Sequence, residues 1–78
     1  MQKLVEYIVK ELVDNKDAVK VEQLEQGDTV VIKVTTDADE LGRVVGKGGR
    51  NAQAIRTIIR SLSGKNGFSE KKYIVKFD

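Results

Sequence analysis

The first segment of the chain distributes its apolar residues with the period of a helix. Over residues 2–14, Leu4, Ile8 and Leu12 recur every four positions, and a valine follows each of them. Positions separated by three or four residues share one face of an α-helix. The pattern therefore predicts an amphipathic helix over residues 2–14, which the polar run 14–17 brings to an end.

Three later segments alternate apolar and polar residues with a period of two, which is typical of strands that bury one face. They cover residues 18–24, 29–35 and 71–77, and the polar turn 25–28, which contains Gly27, separates the first two. The apolar sides of these strands are formed by Val19, Val21, Val30, Ile32, Val34, Tyr73, Val75 and Phe77. The pattern predicts a hairpin followed, much later, by a third strand.

Two further helices are predicted between the second and third strands. Asp37 is a suitable N-cap for a short helix over residues 38–45, with Glu40 as its capping-box partner. A longer helix covers residues 50–63, and a loop follows at 64–67. Its apolar face carries Ala52, Ile55, Ile58, Ile59 and Leu62. The order α-β-β-α-α-β predicts an α+β fold in which three helices pack on one face of a three-stranded sheet.

The two consecutive helices are separated by a glycine turn, Gly46-Lys47-Gly48-Gly49. Glycine is costly inside a helix, but it lets the backbone lie close to a ligand and direct N–H groups outward. The N-terminus of the helix that follows favours anions, and Lys47 and Arg50 add positive charge. The turn is therefore predicted to hold a phosphate backbone.

Charge is unevenly distributed along the chain. Residues 1–42 contain 5 basic and 10 acidic residues, whereas residues 43–78 contain 9 basic and 2 acidic residues. The overall net charge is only +2, so the asymmetry is hidden in the total. Because the glycine turn lies in the basic half, we expect a basic face that binds a polyanion.

Composition argues against several classes of function. The chain has no Cys and no His, which removes disulfides, thiolate metal sites and the commonest general base. The acidic residues Asp37, Asp39 and Glu40 are explained by their position at a helix start. We therefore expect no enzyme activity, metal or cofactor. There is no signal-peptide pattern and no apolar run of membrane-spanning length, so we expect a cytoplasmic location.

The run from Val44 to Arg56, with the glycine turn inside it, resembles the signature of the K-homology (KH) domain. The whole chain is similar to the KhpA family of small bacterial single-KH-domain RNA-binding proteins. Many KH domains carry a bulky aliphatic residue three places after the turn, and Ala52 at this position favours the narrower family. The resemblance implies one KH domain over residues 1–78, with the type II KH fold and its three-stranded mixed sheet.

The same resemblance implies a site and partners. The turn would clamp the backbone of about four nucleotides of single-stranded RNA, and the protein would act as an RNA chaperone or post-transcriptional regulator. The predicted RNA-binding residues are Val44, Val45, Gly46, Lys47, Gly48, Gly49, Arg50 and Ile55. A homodimer is implied, and so is a complex with a larger RNA-binding protein that has its own KH domain. Residues 50–62 are a candidate dimer surface if Ile55, Ile58 and Ile59 exceed what a small core requires. The alternative, equally open from the sequence, is that all three face the core.

Two other functions remain open from the sequence. A helix-turn-helix protein that reads duplex DNA also has two helices joined by a glycine-bearing turn, and Arg56 and Arg60 could line its recognition face. A protein-interaction subunit could use the acidic first half and the open face of the sheet, with nucleic-acid binding as a secondary property. Whether Arg56 and Arg60 contact RNA also stays open. A nucleotide-binding P-loop is disfavoured, since Gly48 occupies the position of its Ser or Thr.

Overall fold

The computed structural model describes residues 1–65 and 72–78. Within these residues the helices and strands follow the predicted order: α1 Gln2–Leu12, β1 Lys20–Gln26, β2 Thr29–Thr35, α2 Leu41–Val45, α3 Arg50–Lys65 and β3 Lys72–Phe77. Short 3₁₀ turns lie at Lys16–Ala18, Ala38–Glu40 and Lys47–Gly49. The predicted loop residues Asn66 and Gly67 and the predicted strand residue Lys71 lie outside the described residues. The α+β prediction is confirmed.

The three strands form one mixed sheet with β2 in the centre. β1 and β2 are antiparallel, with Gln26 opposite Thr29, so only Gly27 and Asp28 form the turn between them. β3 lies parallel to the other side of β2. A parallel neighbour requires a long crossover, and the segment that contains α2 and α3 supplies it. The topology therefore places the glycine turn within the crossover, at a junction between two helices.

Several predicted boundaries were wrong by a few residues. β1 was predicted over residues 18–24 but begins at Lys20, because Lys16–Ala18 form a 3₁₀ turn, and it continues to Gln26, because the hairpin needs only two loop residues. α1 ends at Leu12, since Val13 is already extended with φ −118° and ψ 157°. α3 continues to Lys65 and includes Gly64, which was predicted to lie in a loop.

The core lies between the inner face of the sheet and the helices. The buried side chains of this cluster are Val5, Val9, Val13, Val19, Val21, Val30, Ile32, Val34, Val44, Ile55, Ile59 and Val75. Each fully buried Val or Ile contributes about 1.5–3 kcal/mol relative to an exposed one. Ile58 departs from the predicted apolar face of α3, because its side chain is 41% exposed while Ile55 and Ile59 are buried.

The start of α2 also differs from the prediction. Asp37 does act as a cap, since its Oδ1 accepts a hydrogen bond from the N–H of Asp39 at 3.2 Å. Glu40 is not a capping-box partner, because its carboxylate accepts the N–H groups of Asp14 at 2.6 Å and Asn15 at 2.8 Å. These bonds tie the segment after α1 to the beginning of α2. Among the described residues, no helix combines the length and the apolar character needed to cross a membrane.

Candidate nucleic-acid interface

The backbone of the glycine turn (residues 46–49) requires its glycines. Gly46, Gly48 and Gly49 have φ values of 81°, 66° and 80°. Side-chain-bearing residues rarely adopt these angles, because Cβ then crowds the adjacent carbonyl oxygen. A Cβ built on Gly48 or Gly49 meets no atom within 4 Å, so the constraint there is conformational and the space in front of the turn is open.

Gly46 is under a second constraint, which is steric. A Cβ at this position would lie 2.8 Å from both the backbone nitrogen and the side-chain Cγ of Asn51. Real Cβ atoms do not approach backbone so closely. The end of α2 and the start of α3 are therefore packed against each other through a contact that only glycine allows.

Asn51 holds this junction and was not among the predicted site residues. Its Nδ2 donates a hydrogen bond to the carbonyl oxygen of Arg43 in the last turn of α2, at 2.8 Å. That carbonyl is one of those that a helix end leaves without an intrahelical partner. The signal in the sequence is an Asn two residues after the last glycine of the turn, since its short amide side chain readily bonds nearby backbone.

The hydrogen bonds of the turn decide which of its N–H groups are available. Gly46 donates to the carbonyl oxygen of Gly42 at 2.8 Å, and Gly49 donates to that of Gly46 at 3.0 Å. The N–H of Arg50 donates to the carbonyl oxygen of Lys47. The N–H groups of Lys47 and Gly48 have no acceptor among residues 1–65 and 72–78. The tip of the turn therefore presents two adjacent N–H donors, an arrangement whose geometry suits an anion.

Positive side chains lie beside these two donors. Lys47 and Arg50 are exposed, and neither forms an ion pair with a described residue. Arg43 is exposed as well, but it pairs with Asp14 at 2.9 Å and lies 3.8 Å from Glu40. The cationic charge available at the turn therefore comes from Lys47 and Arg50.

The three apolar residues predicted for the site lie at different depths. Val44 is 0% exposed and Ile55 is 2% exposed, so both belong to the core beneath the turn. Val45, the last residue of α2, is half-buried and has surface that a ligand can reach. Apolar contact with a ligand beside the turn is therefore available at Val45, while Val44 and Ile55 support it from below.

Arg56 connects α3 with β3. Its Nη2 donates to the carbonyl oxygen of Val75 at 3.2 Å, and the guanidinium carbon lies 5.5 Å from the centre of the Phe77 ring. A cation over an aromatic face at this distance is attracted to it. Arg56 is half-buried, whereas Arg60 is exposed. The conformation of Arg56 is therefore set by the edge of the sheet.

A mixed three-stranded sheet, three helices on one face of it and a Gly-x-x-Gly turn between the second and third helices define a KH domain of type II. The family model described as "KhpA/KhpB, KH domain" matches residues 2–77. The chain therefore belongs to the KhpA/KhpB family of KH domains.

Curated relatives resemble the chain over most of its length. RNA-binding protein KhpA of Aquifex aeolicus is 49% identical over 67 residues, which cover 86% of this chain and 85% of the relative. The proteins of the same name from Caldanaerobacter subterraneus and Clostridium perfringens are 40% and 34% identical. These matches cover 96% of this chain and 95% of the relative in the first case and 97% of both in the second. No solved structure gives a significant match.

Proposed function

We propose that this protein binds single-stranded RNA through the glycine turn. The observation that carries the proposal is the pair of adjacent N–H groups, on Lys47 and Gly48, that have no acceptor within the described residues. They stand at an exposed turn beside the cations of Lys47 and Arg50, where a phosphate would gain both hydrogen bonds and charge. The curated name of the relatives, RNA-binding protein KhpA, supports RNA as the ligand.

The proposed binding mode is the one that KH domains use. The sugar–phosphate backbone passes over the turn, and the neighbouring bases rest against the half-buried surface of Val45. About four nucleotides fit such a site, and their bases must be unstacked to reach it. Affinity for one site is therefore weak and sequence preference is loose, which suits an RNA chaperone or post-transcriptional regulator in the cytoplasm.

Duplex DNA is a less suitable ligand for the same region. α2 has only 5 residues, Leu41–Val45, which is short for the first helix of a helix-turn-helix motif. Arg56, which would read base edges from α3, instead contacts Val75 and Phe77 of β3. These two observations favour recognition of a single strand by the turn over insertion of α3 into a major groove.

A double substitution at the tip of the turn tests the proposal. In Lys47→Asp with Gly48→Asp, one carboxylate replaces the cation and a second is added beside it, so both repel the phosphate. At position 48, where φ is 66°, Asp tolerates the left-handed backbone better than most residues. We expect affinity for a fluorescent single-stranded RNA, measured by anisotropy, to fall at least about tenfold while the circular dichroism spectrum persists.

The matched control is Lys3→Asp with Gln26→Glu, which changes the net charge equally at two exposed positions on α1 and β1. This control should bind RNA nearly as well as the original protein. Equal RNA affinity of the turn variant and the original protein would contradict the assignment of the site. An equal loss of affinity in the turn variant and the control would show that overall charge, and not the turn, accounts for the effect.

We also propose that the protein pairs with another KH domain, in a homodimer and in a complex with a larger RNA-binding protein. Two modules on one RNA gain avidity that a single small site lacks. Ile58 supports α3 as the contact surface, since its side chain is 41% exposed while Ile55 and Ile59 beside it are buried. The family description names both KhpA and KhpB, which agrees with two kinds of KH protein.

Self-association is measured by analytical ultracentrifugation of the original protein, Ile58→Asp and a control, Tyr7→Asp. Tyr7 is also an exposed apolar residue, 66% exposed, but lies on α1. We expect the original protein and the control to sediment as a dimer of the 8.7 kDa chain and Ile58→Asp as a monomer. If the original protein is a monomer, the proposed homodimer is wrong. If Tyr7→Asp is a monomer while the original protein is a dimer, the assignment of the dimer surface to α3 is wrong.

A further inference from the structure

The face of the sheet that points away from the helices carries a continuous apolar row. Leu24, Val31 and Ile74 are partners across the three strands, Leu24 opposite Val31 and Val31 opposite Ile74. The neighbours of Val31 along β2, Val30 and Ile32, are buried, so alternation places this row on the other face. Leu24 is 52% exposed and Ile74 is 43% exposed. Partners on one face contact each other, and the three side chains form one contiguous surface.

Lysines surround this apolar row, most densely on β3. Lys72 and Lys76 stand two positions before and after Ile74, on the same face of the strand. Neither forms an ion pair with a described residue. Lys33, next to the row on β2, pairs with Asp78 at 3.1 Å. The β3 end of the apolar row is therefore flanked by two cations that lack a counter-charge in the described part of the chain.

RNA and a second copy of the chain fit this face poorly. Bases bind to an open sheet by stacking on aromatic side chains, and the described residues of this face include no aromatic one. The same face carries four lysines and two carboxylates, those of Glu22 and Asp78. The lysines are Lys20, Lys33, Lys72 and Lys76. Two copies of the chain would therefore oppose like net charges. A dimer through Ile58 would lie on the helical side of the sheet and leave this face uncovered.

We propose that the apolar row docks an acidic amphipathic helix of a protein partner. Adjacent strands are about 4.8 Å apart, so Leu24 and Ile74 are separated by about 10 Å across two strand spacings. An α-helix rises about 10.5 Å over seven residues, so aliphatic side chains at positions i, i+4 and i+7 match the three members of the row. Glutamates that flank this stripe meet Lys72 and Lys76. The surface is distinct from the RNA-binding turn.

The probe is a synthetic helical peptide of about 18 residues with leucines at the i, i+4, i+7 spacing and glutamates on both flanks. Two control peptides keep its length: one has the same composition in scrambled order, and one has lysine in place of glutamate. The peptides are titrated into ¹⁵N-labelled protein. We expect amide shifts centred on Leu24, Val31 and Ile74 with the acidic peptide, and at least tenfold weaker binding of both controls.

Three variants of the full chain sharpen the assignment. Leu24→Thr with Ile74→Thr removes the aliphatic surface but keeps residues that favour strands, and should weaken peptide binding at least fivefold. Lys72→Glu with Lys76→Glu, at exposed positions, should reverse the preference toward the lysine peptide and tests the proposal if the threonine variant fails to fold. Lys47→Asp with Gly48→Asp should bind the peptide unchanged, which separates this surface from the RNA site.

Four outcomes would overturn the proposal. The first is equal binding of the scrambled peptide, and the second is a set of shifts centred on α3 instead of the row. The third is a shift of the row's amides with protein concentration in the absence of peptide, which would show that a second copy covers the face. The fourth is a shift of the same amides by single-stranded RNA, which would assign the face to nucleic acid.

Discussion

Two glycine-bearing turns in this protein have different consequences for the backbone. The hairpin turn between β1 and β2 uses Gly27, with φ 60°, followed by Asp28. Gln26 and Thr29 pair directly on either side of it, and the carbonyl oxygen of Asp28 accepts the N–H of Lys72 at 2.8 Å. This turn closes a ladder of hydrogen bonds and lies in the acidic half of the chain.

The turn between α2 and α3 uses three left-handed glycines and ends differently. The N–H groups of Lys47 and Gly48 have no acceptor in the described residues, and Lys47 and Arg50 supply positive charge beside them. The three glycines of this turn therefore fix the backbone over more residues than the single glycine of the hairpin does. They hold the backbone in a left-handed shape at the junction of two helices. The N–H groups of Gly27 and Asp28 also have no acceptor among the described residues. The two turns therefore differ in the charge beside their donors, which is the carboxylate of Asp28 in the hairpin and the exposed cations of Lys47 and Arg50 between α2 and α3.

The largest expected effect is on the free energy of unfolding, and we expect it when a glycine in each turn is replaced by alanine. Gly46→Ala introduces a Cβ that lies 2.8 Å from backbone at Asn51 and adds strain at φ 81°, so we expect a loss of about 3 kcal/mol in the free energy of unfolding. Gly27→Ala meets no atom within 4 Å and adds only left-handed strain, which costs about 1–2 kcal/mol.

Urea denaturation of both variants measures this difference. A control within the second turn is Gly48→Ala, which has open space around its Cβ and should resemble Gly27→Ala in stability. Equal losses for Gly46→Ala and Gly48→Ala would contradict the steric role assigned to the contact between Gly46 and Asn51.

A smaller effect is expected from Asn51→Ala, which removes the hydrogen bond to the carbonyl oxygen of Arg43. The loss of one such bond costs about 1 kcal/mol, and the turn it supports becomes less ordered. We expect a modest fall in stability by urea denaturation and a fall of severalfold in RNA affinity by anisotropy.

The control for this substitution is Gln53→Ala, which truncates an exposed amide two residues further along α3. This control should leave both the free energy of unfolding and the RNA affinity close to those of the original protein. If Asn51→Ala lowers stability but binds RNA with unchanged affinity, then the bond supports the fold without ordering the turn for binding.

The smallest expected effect is on the salt dependence of RNA affinity. RNA contact with roughly two to four phosphates gives a slope of log affinity against log salt of about 0.7 per phosphate for single strands. Lys47→Gln should lower the magnitude of that slope by about 0.7, since it removes one phosphate contact and keeps the backbone donors. Anisotropy titrations at several salt concentrations measure the slope. Lys20→Gln, an exposed change on β1, should not alter it.

The sequence by itself determined the order of the elements and the location of the turn. Periods of 3.6 and 2 residues depend only on which side chains share a face, so α1, β2 and the alternation of β3 could be predicted from the chain alone. Thr29–Thr35 was predicted with its observed bounds. The glycines of the turn could also be recognised, because a left-handed backbone leaves few other choices of residue.

Contacts between distant residues were decided only by the tertiary structure. Glu40 was expected to cap its own helix, but its carboxylate instead accepts N–H groups more than twenty residues away, at Asp14 and Asn15. Local patterns carry no information about which groups a fold brings next to a carboxylate. The same limit applies to the contact of Arg56 with β3, to the bond made by Asn51 and to the two N–H groups of the turn that have no acceptor among residues 1–65 and 72–78.

Burial along α3 shows the physical reason most directly. Ile55, Ile58 and Ile59 lie within one apolar arc by helical period, and all three were placed on the same face. The width of the arc that is covered depends on how much of the helix the sheet reaches, and here the buried arc includes Ile55 and Ile59 but leaves Ile58 41% exposed. Periodicity gives the direction of a buried face, while the packing of the neighbouring elements sets how far around the helix that face extends.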